Sequence, residues 1–178
     1  MGRKAPRRRS RRPMQPATMA MLIFVVLAVL RIVVFRPDPT SDGKPRTKAV
    51  VKYVIDGDTF DLSDGQRVRM LGIDAPEAGF HGERPEPFSE EATAWLRDRI
   101  QGREILLRID HPKTDRYGRT LAWVFDKDGT LVNQQMLLAG RVKLLADFGL
   151  PADLEPALRQ AESEARIRKL GLWAPQKN

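Results

Sequence analysis

The stretch from Asp56 to Glu77 holds the densest chemistry in the chain. It reads Asp56-Gly57-Asp58-Thr59, a short alternating segment, and then Arg69-Met70-Leu71-Gly72-Ile73-Asp74-Ala75-Pro76-Glu77. Its two ends bring four carboxylates and an arginine close in sequence. Carboxylate oxygens suit a hard divalent cation, and a guanidinium fork matches phosphate oxygens, so this set can hold both side by side. Asp58 and Asp74 repel each other when both are ionised unless a cation lies between them. The backbone carbonyl of Ala75 offers a further oxygen ligand. Glu77, two residues on, is placed to activate or orient water as a base. Arg69 and Arg119 could surround a phosphate and stabilise the extra negative charge of a pentacoordinate phosphorane. Placed donors of this kind contribute about 3–4 kcal/mol each. A guanidinium gives up its proton too reluctantly to serve as a general acid, so both arginines are given electrostatic roles. Asp56 reads as a turn-former behind Asp58. Tyr117 either lines the substrate pocket or packs its own turn, and Phe148 offers a ring for stacking.

Composition narrows the remaining chemistry. The 178 residues contain no cysteine, which excludes disulfides, thiolate metal sites and cysteine nucleophiles. Two histidines, His81 and His111, are too few for a histidine-rich zinc site, leaving oxygen-ligated Ca²⁺ or Mg²⁺. The net charge of +8 is unevenly placed. Residues 1–36 carry nine Lys/Arg and no acid, while residues 37–178 carry 22 Lys/Arg against 23 Asp/Glu. Phosphate recognition in the body must therefore come from placed arginines or a metal, not from bulk charge.

The elements that must position these residues follow from the patterning. Residues 1–16 form a basic tail. Residues 17–35 are an apolar run broken by Thr18 and Arg31, long enough at about 1.5 Å per residue to cross a bilayer. The positive-inside rule keeps the tail in the cytoplasm and puts the rest on the other side, anchored by an uncleaved transmembrane helix. Cleavage as a signal peptide is the competing reading, but Val33-Val34-Phe35 offers no small-residue cleavage site. Residues 36–48 have linker composition, and the folded domain is expected over 49–174, followed by a short tail, 175–178.

Within the domain, strands are expected at 49–55, 59–62 and 66–73, making a three-stranded meander in which Asp58 and Asp74 fall at the same end of adjacent strands. A loop covers 75–87. A helix capped by Ser89 runs to Gln101, with strands at 103–109 and 119–125. Helices at 130–139 and 151–170 flank a short strand at 141–145. Pro156 is awkward inside the last helix and argues for a start nearer Leu154. Five strands with a helix between the third and fourth suggest a small closed β-barrel of the OB type with three packed helices.

Three motifs in order, spacing and context resemble the thermonuclease, or staphylococcal-nuclease-like, family. They are Val54-Ile55-Asp56-Gly57-Asp58-Thr59, Arg69 through Glu77, and Thr114-Asp115-Arg116-Tyr117-Gly118-Arg119, and Leu170-Gly171-Leu172-Trp173 resembles the family's ending. The resemblance covers about residues 49–174. It implies an OB barrel with three helices and Ca²⁺-dependent hydrolysis of DNA and RNA to products ending in 3′-phosphates. By motif position Asp58, Asp74 and the Ala75 carbonyl would bind Ca²⁺, and Arg69, Glu77 and Arg119 would be the catalytic trio. Two departures stand out. Alanine replaces the threonine usual at position 75, and 144–148 lacks the tyrosines that stack on or contact substrate. The alternative is a non-catalytic OB-type module binding nucleic acid or protein at the membrane. Degenerate members of the family lose the carboxylate and arginine set, which this chain keeps at all five positions.

Overall fold

The computed structural model describes residues 44–79, 84–110 and 113–175. The expected basic tail, the expected transmembrane run and both histidines lie outside the described residues. No helix among the described residues is long and apolar enough to cross a membrane.

Five strands close into a barrel in the order β1-β2-β3-β6-β5. They are β1 (Thr47–Val54), β2 (Thr59–Leu62), β3 (Arg67–Met70), β5 (Glu104–Arg108) and β6 (Thr120–Asp126). All neighbours pair antiparallel except β3 and β6, which close the barrel in parallel. Closure leaves no strand edge unpaired, so a short-stranded domain without disulfides can persist on its core. Alternation sends Val51, Phe60, Leu62, Val68, Met70, Ile105 and Leu107 inward, all essentially sealed from solvent. Their partners Asp61, Arg67 and Arg69 stay on the outer side. This outer row carries the chemistry.

The third strand is shorter than the alternation suggests. It ends at Met70, not Ile73, because the chain turns at Leu71-Gly72, where Gly72 takes φ +68°. The Trp123 ring fills the place where a side chain on residue 72 would stand, so only glycine fits there. Asn133, fully buried, locks the turn: its Nδ2 donates to the Leu71 carbonyl at 2.8 Å and its Oδ1 accepts from Val124 N at 3.0 Å. Beyond the turn, β4 (Ile73–Asp74) leaves the barrel and pairs antiparallel with β7 (Lys143–Leu144). Asp74 thus belongs to a separate two-stranded ribbon and does not close the meander as expected.

Three helices complete the domain: α1 (Ser89–Ile100), α2 (Val132–Leu138) and α3 (Glu155–Ile167). Each is shorter than, or shifted within, its expected span. Ser89 is not the cap of α1. Phe88 takes that position at φ 72°, and Ser89 is buried in the first turn with its N–H on the Glu86 carbonyl. Glu90 and Glu91 do occupy the positive end of the helix. Pro156 lies in the first turn of α3, where its missing N–H costs nothing. Leu96 and Ile100 from α1, Val132, Met136 and Leu137 from α2, and Leu158 and Ala161 from α3 join one core with the barrel.

Candidate active site

The Asp56-Gly57-Asp58-Thr59 turn presents Asp58 inward rather than to solvent. The Asp56 Oδ1 accepts the Asp58 N–H at 3.0 Å, which fixes the turn from the first residue, as a turn-former should. Asp58 is 6 % exposed. Its Oδ1 accepts from the Thr59 hydroxyl at 3.0 Å, and its Oδ2 accepts from the Ala75 N–H at 2.9 Å. The last bond joins the start of β2 to the residue after β4. Gly57 permits this approach, since a Cβ there would collide with the Cβ atoms of Ala75 and Ala92. Burial pushes the Asp58 carboxyl up to about 7. Asp56 adds to the rise, while Arg69 and the hydrogen bonds from Ala75 and Thr59 oppose it.

Arg69 is the hub. Its position on the outer face of β3 carries its guanidinium, mostly shielded, into the elbow between β3 and β4. Nη1 donates to the carbonyls of Met70 at 2.7 Å and Ile73 at 3.0 Å. Nη2 lies 3.0 Å from Asp58 Oδ2 and 3.3 Å from Asp74 Oδ1. The sequence reading that Asp58 and Asp74 approach each other therefore holds, although the route differs. They meet around Arg69 through the Gly72 turn, not as ends of paired strands. Two carboxylates, one buried and one half-exposed, converge with the Ala75 backbone on a single elbow.

Among the described residues no third acidic or histidine side chain joins them. The donor set is nonetheless all oxygen, which is the chemistry of Ca²⁺ or Mg²⁺ and not of zinc. Such ions take six or more ligands and commonly complete their shells with water and substrate oxygens. The residues present fit a partly substrate-held ion of this kind. Glu77 stands apart. It is exposed on the loop after Pro76, its N–H donates to Glu86 Oε2 at 3.2 Å, and its carbonyl accepts from Glu86 N at 2.9 Å. Its carboxylate makes no hydrogen bond among the described residues. Glu86, in the loop expected over 75–87, is the partner that ties this loop together.

Arg119 is positioned by the turn that Asp115 opens. Asp115 accepts the N–H groups of Tyr117 at 2.9 Å and Arg119 at 3.0 Å through Oδ1, and the Arg119 Nε at 2.7 Å through Oδ2. Burial would raise the Asp115 carboxyl, but the hydrogen bonds from Arg119 and Tyr117 outweigh it and hold the group below its ordinary value. The signal was present in the sequence as an aspartate three residues before the glycine of a turn, in a position to cap it. Arg119 keeps its outer nitrogens for other partners and lies 5.5 Å from the centroid of the exposed Tyr117 ring.

Arg69 and Arg119 face one groove of about 870 Å³. Tyr117 and Phe148 line it, together with an apolar floor of Leu71, Leu121, Trp123 and Leu145. Trp123 serves both purposes: its ring is buried, and its Nε1 donates to Asp110 Oδ2 at 3.1 Å. Phe148, 89 % exposed, stands on the rim. The arrangement offers two cations at the mouth of an apolar cleft flanked by aromatic rings, with an oxygen-rich elbow behind one of them. That is a site for an anionic ester carrying flat apolar groups.

Residues 67–175 match the family model described as "Staphylococcal nuclease homologue". The probable endonuclease lcl3 of Sclerotinia sclerotiorum is 42 % identical over 121 residues, covering 62 % of this chain and 43 % of the relative. The thermonuclease of Staphylococcus intermedius is 34 % identical over 128 residues, covering 70 % of this chain and 74 % of the relative. The thermonuclease of Staphylococcus hyicus is 29 % identical over 165 residues, covering 86 % and 95 %. The chain spans less than half the length of the fungal relatives it matches.

Proposed function

The chain belongs to the staphylococcal nuclease homologue family, and from that premise we propose that it is a nuclease that hydrolyses phosphodiester bonds in DNA and RNA with Ca²⁺, leaving 3′-phosphate ends. The observation that carries this reading is the convergence of Arg69 and Arg119 on one groove, with Asp58 and Asp74 gathered behind Arg69. A phosphodiester entering the groove meets two guanidinium groups whose planar forks match phosphate oxygens. Arg119, held by Asp115, and Arg69, held by the elbow, are oriented before substrate arrives, so little reorganisation is required as negative charge builds on the phosphoryl oxygens. The bases or sugars find an apolar floor and the Tyr117 and Phe148 rings.

Asp58, Asp74 and the Ala75 carbonyl would hold the calcium ion, which, when bound, supplies Lewis-acid stabilisation of phosphate charge. Replacing threonine by alanine at 75 leaves the backbone oxygen in place. Glu77 would take a proton from, or orient, the attacking water. Its exposed place on the loop after Pro76 leaves it able to reach water beside the elbow. Hydrolysis breaks the P–O bond to the 5′ oxygen of the following nucleotide, which departs as a hydroxyl after gaining a proton. The phosphate stays on the 3′ oxygen of the preceding one. A 5′-labelled oligonucleotide of either DNA or RNA, incubated with the full-length chain and Ca²⁺, should yield fragments that gain mobility shifts on phosphatase treatment. Fragments unaffected by phosphatase would show that the bond is broken on the other side of phosphorus and overturn the assignment of products.

A further inference from the structure

We infer that the outer face of the barrel, from Arg119 across Arg67 to Tyr53, is an extension of the substrate groove that binds single-stranded nucleic acid flanking the bond to be cut. The inference rests on the nuclease reading above for the identity of the ligand, and on separate residues for its place.

Strand register builds the surface. In β3 and β6, Val68 pairs with Thr120, so one position back Arg67 lies beside Arg119. Arg67 pairs with Asp61 on β2, and Asp61 pairs with Tyr53 on β1. At about 4.8 Å per strand, this row spans roughly 14 Å from Arg119 to Tyr53. A β-bulge breaks the β1–β2 register between Val51 and Tyr53. The extra residue leaves Lys52 and Tyr53 both exposed, where strict alternation would have buried one of them. A lone surface tyrosine is ordinary. A bulge that sets a tyrosine and a lysine at the end of an arginine row leading out of a phosphate groove is a more specific arrangement.

The space continues from the groove onto β3 and β2. A second cavity of about 520 Å³ is lined by Asp61, Gly65, Arg67, Tyr117, Gly118 and Arg119. It shares Tyr117 and Arg119 with the larger groove, so the two lie on either side of the same exposed ring. Asp61 grips one edge of the Arg67 guanidinium, taking Nε at 2.8 Å and Nη2 at 3.1 Å. The opposite nitrogen, Nη1, points away from that edge by covalent geometry, and Arg67 remains 53 % exposed. The carboxylates of Asp61 and Asp115 moderate the charge of the row, while Lys52 lies close enough to act on Asp61. Along the strands the row runs Tyr53, Asp61, Arg67 and Arg119, with the Tyr117 ring beside Arg119, so two rings flank the neighbouring cations and one carboxylate lies among them. Nonspecific single-strand surfaces are built this way, with cations following the backbone and rings stacking on bases of any identity. The length suits roughly two or three nucleotides beyond the cleaved bond, which with those at the bond itself approaches the lower end of the range for a single OB barrel, about 4–16.

The test compares an eight-nucleotide oligo-dT with a dinucleotide on the full-length chain, and measures binding of fluorescein-labelled oligo-dT in chelator, where cleavage is not required. Wild type should favour the octamer in kcat/KM by about tenfold or more. In Arg67→Gln and in Tyr53→Ala that preference should fall about fivefold to tenfold, as expected for one lost phosphate contact or one lost stacked base. Tyr53→Phe should keep it within about twofold. Octamer affinity should fall in parallel, and Arg67→Gln should lower the slope of log affinity against log salt by about 0.7. A length preference unchanged in both variants, or absent from the wild type, would overturn the inference. Failure to cleave either substrate would instead sink the nuclease reading. The binding arm would then decide the surface alone: loss of octamer affinity in both variants upholds it, and unchanged affinity rejects it.

Discussion

At the residue scale, the site divides into groups that are held and a group that is not. Arg69 makes hydrogen bonds to two carbonyls and lies against two carboxylates. Arg119 is clamped by Asp115. Glu77 has an exposed carboxylate on a loop. Arg119→Gly and Glu77→Ser should each lower kcat/KM on DNA by at least about a hundredfold, the scale of one placed electrostatic or acid–base group. Neither should change stability by more than about 1 kcal/mol, because a partly exposed ion pair and an exposed carboxylate contribute little to folding. Urea unfolding alongside initial rates checks both. Rates near the wild type would refute their assigned roles. The identities of these residues were readable from the motifs because the chemistry requires those side chains. What positions them was less readable: Asp115 carries a turn signal that many loop aspartates share, and Asn133 acts on Leu71, 62 residues away in the chain.

At the scale of elements, the elbow between β3 and β4 is where sequence patterning failed and the site was made. Hydrophobic alternation runs on through Leu71 and Ile73, so periodicity extends the strand. The break is set by Gly72 at positive φ against Trp123, a tertiary fact absent from the local pattern. The barrel strands themselves were legible, because each alternates between a filled interior and a polar outside. Helix ends were less so. Phe88 and the buried Ser89 show a cap chosen by packing over side-chain preference.

A second junction lies behind the groove. Arg108, at the end of β5 and 1 % exposed, donates through Nη1 to Asp153 Oδ2 at 2.6 Å and through Nη2 to Asp110 Oδ2 at 3.2 Å. Lys44 Nζ reaches Asp153 Oδ1 at 2.8 Å. Burial pushes the Asp153 carboxyl up, but the hydrogen bonds from Arg108 and Lys44 prevail and bring it to about 2. Its folded-state value is thus below its unfolded one, near 3.8. The stabilisation is present in full above pH 4 and is lost as pH falls towards 2. Allowing for partial exposure, it amounts to about 1–2 kcal/mol. Asp153→Asn should lower urea stability by about that much at pH 7, and the difference from wild type should shrink below pH 4. A difference that stays constant across that range would show that Asp153 is not the responsible group.

At the scale of the whole molecule, charge is divided between two parts of the sequence. The segment 37–178 is nearly neutral, so its grip on a polyanion depends on a few placed arginines. The surplus lies in residues 1–36. We further propose that residues 17–35 anchor the chain in a membrane with the nuclease domain on the non-cytoplasmic side, supported by the basic residues that precede the apolar run. Protease added to intact cells should then digest the domain, and full protection until lysis would contradict the placement.

If the two carboxylates gathered at the Arg69 elbow hold Ca²⁺ as proposed, cleavage depends on that ion. The most direct measurement incubates the purified full-length chain with plasmid DNA in Ca²⁺ and, in parallel, in a calcium chelator. Supercoiled plasmid should convert to nicked and linear forms in Ca²⁺ and stay intact in chelator, with activity restored when Ca²⁺ is returned. Cleavage that persists under chelation, or none with Ca²⁺ present, would contradict it.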